Sequence, residues 1–522
     1  MTAGTKNGSA ARTLVGGEIL GRGQIDRDVE VDCDVVVVGS GAGGAVAAAE
    51  FAEAGLSVVV IEEGHHWKTE DFSFKPGQAI RRMYRDAGAS MTIGNVPVMF
   101  QEGRAVGGST VINGGMSWRT PEKVLRKWVL EDGLPDMSPR DMERYFERVE
   151  KRISARTQDV ESLGRDTILF SGAAKRLGYK TIDNIRNQVH CAGSNNCAWG
   201  CPTGAKRSML LTYVPRAVSR GARIFSDCRV HKILKKGKQA LGVEGRFLHE
   251  NGKPSHKLTV RARLTVVAGG SAQTPALLWR SGFRSPSGQL GKNLTLHPNG
   301  KVIGIFDEDV KGWTGVHQGH QVREFIDEGF LMTAVNVPPS VIAMTTPYHG
   351  RVLGDVMRQY NQMVVAGILV EDTTTGHVKV APGGRPFLFY DVTDIDVARI
   401  KRGLSLVCEV LFEAGAKKVL LPFSHLGELQ SADQVRRIFE VPIPKREMEI
   451  FTVHLMSSCR MSGDAVRSVC DEWGQFRDAT GLMISDASML PGPIGVNPME
   501  SILAVATRNA MHVLETPGRY LT

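Results

Sequence analysis

The apolar positions of this chain fall into distinct patterns. Val35–Val38 and Val58–Ile61 are short, uninterrupted runs of β-branched residues, which predict strands buried on both faces of a parallel sheet. Between them Ala45, Ala47, Ala48 and Ala49 crowd a segment with helical character, so residues 31–66 read as strand, glycine turn, helix, strand. Helical spacing returns across 121–180, where Met137–Arg152 carries a strongly charged face, and again at Thr274–Arg280, closed by Ser281-Gly282, and at Asp394–Ala414. Strand-like runs occupy 223–247 and 258–268, and Lys232, Lys235, Lys236 and Lys238 sit between apolar stretches like a hairpin tip. Residues 300–450 alternate strand patterns with the long helix, and the remainder returns to glycine turns and one further helix. Residues 1–30, polar and glycine-rich, predict an arm.

Length changes the picture: 522 residues exceed what one core fills, so an α/β protein of two domains is expected. The net charge of +9 is spread among acids without a basic block, which argues against nucleic acid as a partner. No run of about 18 apolar residues occurs, and the first 30 residues lack the pattern of a secretory signal. The expectation is therefore a cytoplasmic protein, not transmembrane, with peripheral membrane association compatible with the composition.

The candidate chemistry begins at Gly39, Gly41 and Gly44, a G-x-G-x-x-G directly after the first valine run. In the dinucleotide-binding unit the first glycine makes the tight turn, the second lets backbone approach a pyrophosphate, and the third permits close helix–strand packing. Free N–H groups at the helix start then face the phosphates. Glu62 ends the second strand, where a carboxylate accepts from ribose hydroxyls and disfavours a 2′-phosphate. By itself the motif leaves FAD and NAD open, and with NAD the alternative of a nicotinamide-dependent dehydrogenase.

Further segments choose between them. Gly103-Arg104-Ala105-Val106-Gly107-Gly108-Ser109-Thr110-Val111-Ile112-Asn113 resembles a signature of the glucose-methanol-choline (GMC) family of FAD-dependent oxidoreductases. Gly270–Leu278 with Ser281-Gly282 is similar to that family's other signature, Asn293–Pro298 to a segment following it, and Gly481–Asn509, with Asp486-Ala487-Ser488 and Gly495-Val496-Asn497-Pro498, to its C-terminal flavin segment. The resemblance implies a discontinuous, Rossmann-like FAD-binding domain over 31–120, 200–300 and 450–522, with an α+β substrate-binding cap from 121–199 and 301–449. It also implies cofactor contacts at Arg104, Gly107, Gly108, Ser109, Asn113, Val230, Asp486, Ala487, Asn497 and Pro498, Val230 meeting the adenine through its backbone. Physically, Gly107 and Gly108 suit a loop pressed against a flat ring, and Asn113 suits either a flavin edge or the bracing of its own turn.

By the same resemblance His454 is the active-site histidine and Asn497 its partner. An imidazole accepts a proton near neutral pH, so His454 is expected to be the base for the alcohol's hydroxyl while hydride passes to flavin N5. Asn497, Pro498 and Glu500 also have the form of an N-cap, a first-turn proline and a capping-box acid. The implied reaction is oxidation of an alcohol to an aldehyde or ketone. Phe330, Leu331, Met332, Val335, Val337, Pro338 and Pro339 favour an apolar alcohol, or are simply core strands. A redox-silent FAD-containing lyase is the rival from another class.

Cys191, Cys197 and Cys201 have spacing C-x5-C-x3-C with Pro202 next. Three thiolates suit a 3Fe–4S cluster, and a similar loop occurs in sugar and polyol dehydrogenase large subunits of this family, where electrons pass through the cluster to an acceptor protein. The Gly200–Lys206 continuation is equally similar to the family's long-chain alcohol oxidases. Zinc with His190, or thiols without metal, are the other readings.

Overall fold

The computed structural model describes residues 17–521. Of the expected arm, residues 1–16 lie outside the described residues, while Glu18–Leu20 forms a strand, β1, rather than a loose leader. The valine run becomes the end of β2 (Val29–Val38), followed by helix α1 (Ala42–Glu53) and β3 (Val58–Ile61). β4 (Arg223–Phe225), β5 (Cys228–Lys236), β6 (Gln239–Leu248) and β7 (Pro254–Val267) complete the main path of one sheet, in the order β1-β4-β3-β2-β7-β6-β5. The pairs from β1 to β7 are parallel, while β7, β6 and β5 form an antiparallel meander that turns at Gly237, where the lysine-rich hairpin tip was expected. Leu482–Ile484 adds a strand parallel to the last three residues of β7. Val35, Val36 and Val37 have no exposed surface, each contributing about 1.5–3 kcal/mol of burial, so these strands are continuous runs of Val and Ile because neither face meets water.

A second, antiparallel sheet contains β8 (Lys301–Ile305), β9 (His320–Val322), β10 (Phe330–Ala334) and β11 (Met363–Val370), with Thr181–Asp183 at one edge and Lys418–Leu420 and Glu428–Leu429 at the other. Its strands alternate as period-2 geometry demands. Phe330, Met332 and Ala334 face the core beneath the long helix Asp394–Glu413, whereas Leu331, Thr333 and Val335 face a cavity.

Helices over Glu122–Glu131 and Pro139–Ile153, placed by the sequence reading with the substrate part, pack their apolar faces into the core of the first sheet. Arg148 and Arg152 of the second pair with the buried Glu50 of α1. A buried carboxylate needs such partners, since stripping them costs about 3–5 kcal/mol. Among the described residues no helix is long and apolar enough to cross a membrane.

Candidate active site

One cavity of about 950 Å3 runs between the two sheets. On the first-sheet side its wall includes Gly39, Gly41, Ala42 and Gly43 after β2, Glu62 and Glu63 after β3, Cys228–His231 just beyond β4, Ala268–Gln273 after β7, and Asp486 and Ala487 after Leu482–Ile484. Each segment follows the carboxyl end of a parallel strand, the place where open α/β sheets bind ligands. Sheet topology therefore dictates the site's position.

The glycines divide the expected work among themselves. Gly39 sits at φ +101, and a Cβ there would lie 2.3 Å from the Ala268 carbonyl oxygen. A Cβ on Gly44 would meet the Gly39 carbonyl at 2.1 Å, so Gly44 serves packing and does not face the cavity. Gly41 is open towards the cavity, and a Cβ there would meet nothing nearer than Gly108 Cα, at 3.9 Å. It also precedes α1, whose start has no side-chain cap, so the first N–H groups of the helix are free for an anion.

Glu62 is buried, its carboxylate accepting from Ser40 N at 2.9 Å, Ser40 Oγ at 2.7 Å and Gly64 N at 2.8 Å. Burial raises its pKa, tempered by those donors. A carboxylate has about four lone-pair sites, so this acid retains capacity for a hydroxyl. Asp486 accepts from Gly270 N and Ser488 N, each at 2.8 Å, and from the Thr274 hydroxyl, tying two cavity loops together.

Gly108, Ser109, Asn113, Val230, Ala487, Asn497 and Pro498 also line the cavity. Gly107 and Arg104 do not. Gly107 turns the loop at φ +94 against Leu210, while Arg104 lies 4.0 Å from Glu63. Asn113 braces its own turn, its Oδ1 accepting from Gly115 N at 3.0 Å.

His454 and Asn497 meet in this cavity, Asn497 Nδ2 standing 3.4 Å from His454 Nε2. Burial depresses the His454 pKa to about 4, so the ring is neutral at physiological pH. Its Nδ1 lies 3.2 Å from Nδ1 of the fully buried His297, whose Nε2 accepts from the N–H groups of Ile494 at 3.3 Å and Gly495 at 3.1 Å. On the other side Gln321 Nε2 donates to Asn497 Oδ1 at 3.3 Å, and Arg323 Nε donates to Gln321 Oε1 at 3.2 Å.

The expected capping box is absent. The helix starts at Met499, Pro498 is its N-cap, and no side chain caps it. Glu500 instead lies against Glu150, and burial together with that neighbouring carboxylate pushes its pKa up to about 9. A local pattern has lost to a tertiary contact.

Sequence reasoning gave no role to His297, Lys301, His317 or Gln321. Lys301, His317 and Gln321 line the cavity, and His297 stands behind His454. Burial, reinforced by the Arg186 and Lys206 charges, lowers His317 to about 3, and burial brings Lys301 down to about 7. The period-2 pattern of the second sheet was the available signal for its polar cavity-facing positions, once its register is known.

Cys191, Cys197 and Cys201 do converge, around a space of only about 10 Å3 that Arg186 and Lys206 also line. Arg186 Nη2 donates to Cys197 Sγ at 3.2 Å, and Lys206 Nζ donates to the carbonyls of Val111 at 2.7 Å, Asn113 at 2.9 Å and Cys197 at 2.6 Å. A space of that size suits one water. So arranged, the residues do not fit a three-iron cluster, and among the described residues no group of three or more His, Cys, Asp or Glu side chains is placed to share a metal ion. The protein electron acceptor, which followed only from the cluster, loses its support. What the loop does hold is the cavity wall, since Lys206 fastens it to the turn containing Asn113.

Two models of the GMC oxidoreductase family match residues 80–299 and 373–506, and an FAD-binding domain model matches 34–71. An uncharacterized GMC-type oxidoreductase of Mycobacterium tuberculosis is 36% identical over 91% of this chain and 74% of its own. A long-chain-alcohol oxidase of Arabidopsis thaliana is 29% identical over 92% of this chain and 66% of its own. The crystal structure of pyridoxine 4-oxidase from Mesorbium loti superposes with a TM-score of 0.72 at 18% identity, covering 92% of this chain and 99% of that one.

Proposed function

Because the chain belongs to the GMC oxidoreductase family and is an FAD-dependent oxidoreductase, we propose that it oxidises the CH–OH carbon of an apolar alcohol to an aldehyde or ketone, with His454 and Asn497 facing the alcohol oxygen. The observation that carries this reading is the meeting of that pair in the same cavity as the glycine loops after β2 and β7. Gly39, Gly41, Glu62, Gly108, Ser109, Asn113, Val230, Asp486 and Ala487 are the residues that would hold FAD, with the first sheet as its domain and the second as the substrate cap.

Bound flavin supplies a hydride acceptor. The protein's own contribution is to bind, orient and exclude water. Leu331, Val335, Val337 and Leu369 give the cavity an apolar floor, which suits a hydrocarbon chain. The Arabidopsis relative, by name a long-chain-alcohol oxidase, supports the same class. Asn497 offers its amide to the oxygen, and His454 faces it from the neighbouring position.

The test is anaerobic mixing of FAD-loaded protein with a panel of alcohols. Loss of flavin absorbance with long-chain primary alcohols is the expected result. A spectrum unmoved by every alcohol would overturn the proposal.

A further inference from the structure

His297 lies behind the catalytic pair, and the hydrogen bonds around it leave little freedom in how protons are arranged. The N–H groups of Ile494 and Gly495 both point at its Nε2, at 3.3 and 3.1 Å. A backbone N–H only donates, so this nitrogen must be the acceptor, and neutral His297 carries its single proton on Nδ1. That proton points at His454 Nδ1, 3.2 Å away, across rings set at 89° to one another.

We infer that His297 is a positioning residue that locks His454 in one neutral tautomer, with Nδ1 accepting from His297 and the ring's own proton held on Nε2 towards Asn497 and the cavity. The inference rests on the reading of His454 as the residue that meets the alcohol, and deepens it. His454 then greets the alcohol oxygen as a hydrogen-bond donor, and the base expected from the sequence would first have to shed its Nε2 proton. Protonating His454 is also opposed, because a second proton on Nδ1 would face the Nδ1 proton of His297. Both rings are buried, and among the described residues no charged side chain is bonded to either. The nearby carboxylate Asp372 is occupied by the backbone N–H groups of Leu296 and His297 and by the Tyr390 hydroxyl.

The amide chain on the other side is the weaker constraint. Arg323 only donates, so Gln321 and Asn497 would in turn present N–H towards His454 Nε2. Two fixed donors cannot both be satisfied through one neutral imidazole, which must carry a proton on one of its nitrogens. The two backbone N–H groups at His297, at 3.3 and 3.1 Å, cannot be turned end for end, whereas the side-chain amides can, so turning the Asn497 amide relieves His454 and moves the conflict outward to the link between Gln321 and the partly buried Arg323.

The lock moves no proton itself; it decides which hydrogen bond the alcohol meets. Its test is spectroscopic, on FAD-loaded protein labelled with 15N in its histidine rings and assigned by comparison with His454→Gln. Without substrate, His454 is expected to show a protonated Nε2 and a bare Nδ1. His297→Gln, whose carbonyl can accept the two backbone N–H groups while its amide donates to His454, should preserve that pattern and keep flavin reduction within severalfold. His297→Glu, which only accepts when ionised, should reverse it. A bare Nε2 in the wild-type protein overturns the inference, and so does a folded His297→Glu variant that keeps the wild-type ring pattern while infrared absorption shows its carboxyl ionised. If His454→Ala reduced flavin at the wild-type rate, the proposed role of His454 would fail while the ring pattern still stood.

Discussion

Asn497 Nδ2 stands 3.4 Å from His454 Nε2, although 43 residues separate the two in the chain. Any oxygen placed against both on the cavity side meets a neutral imidazole and an amide together. His454→Ala is therefore expected to keep FAD and to slow anaerobic flavin reduction by about a hundredfold or more, the scale for losing a proton-handling or oxygen-stabilising group. Stopped-flow absorbance of the flavin measures it, and an unchanged rate removes His454 from the reaction.

Acid should matter little to that step over an unusual range. An ordinary histidine, with a pKa of about 6.5, would lose about tenfold of its neutral form by pH 5.5, whereas burial holds His454 at about 4. Reduction rates at pH 7 and 5.5 should thus agree within about twofold. A tenfold fall following one titration near 6.5 would contradict it.

Gly43 packs α1 against the C-terminal strand, and a Cβ there would lie 1.9 Å from the Ser485 carbonyl oxygen. Gly43→Ala must push helix and strand apart, at a cost on the order of 1–3 kcal/mol or more. Lower thermal stability with reduced FAD content is expected. A variant that binds FAD normally would show that the loop after Ile484 yields without consequence.

Lys301 makes stability depend on alkaline pH. Burial, partly opposed by Glu449, lowers its ammonium from 10.5 to about 7. Between those values the unfolded chain binds a proton that the folded chain does not, so unfolding free energy rises with pH, by at most about 1.4 kcal/mol per unit, and the deficit is fully present below 7. Urea titrations of wild type and Lys301→Met at pH 7 and pH 10 should show the steeper rise in the wild type. Equal slopes would mean that Lys301 titrates normally.

The cysteine loop should be metal-free. Purified protein is expected to contain FAD without stoichiometric iron, because the space among Cys191, Cys197 and Cys201 is about 10 Å3 and two cations already line it. Metal analysis on fully active protein decides this, and one cluster per chain would show that the loop opens to admit it.

The glycine-lined wall of the cavity was legible in the chain because residue type itself carries the geometry there. Only glycine tolerates φ +101 at position 39 or the close approach at 44, and such constraints survive without knowledge of the fold. Asp394–Ala414 and Thr274–Arg280 were likewise legible within a residue of the observed helices. Gln321 and Lys301 were not, since each reaches the cavity only through strand register in the second sheet, set by partners far away in sequence, and His317 sits in the bend that precedes β9. Glu500 misled for the opposite reason: its local spacing was correct for a cap, and the burial that directs it towards Glu150 is not local. His297 stood within a noticed segment, yet its role depends on where Ile494 and Gly495 aim their N–H groups.

The strand Leu482–Ile484 seats itself along the end of β7, and the loop after it supplies Asp486 and Ala487 to the cavity. A ribosome must therefore deliver almost the entire polypeptide before this wall of the cavity is finished. Until then the end of β7, Thr265–Val267, waits with that edge uncovered.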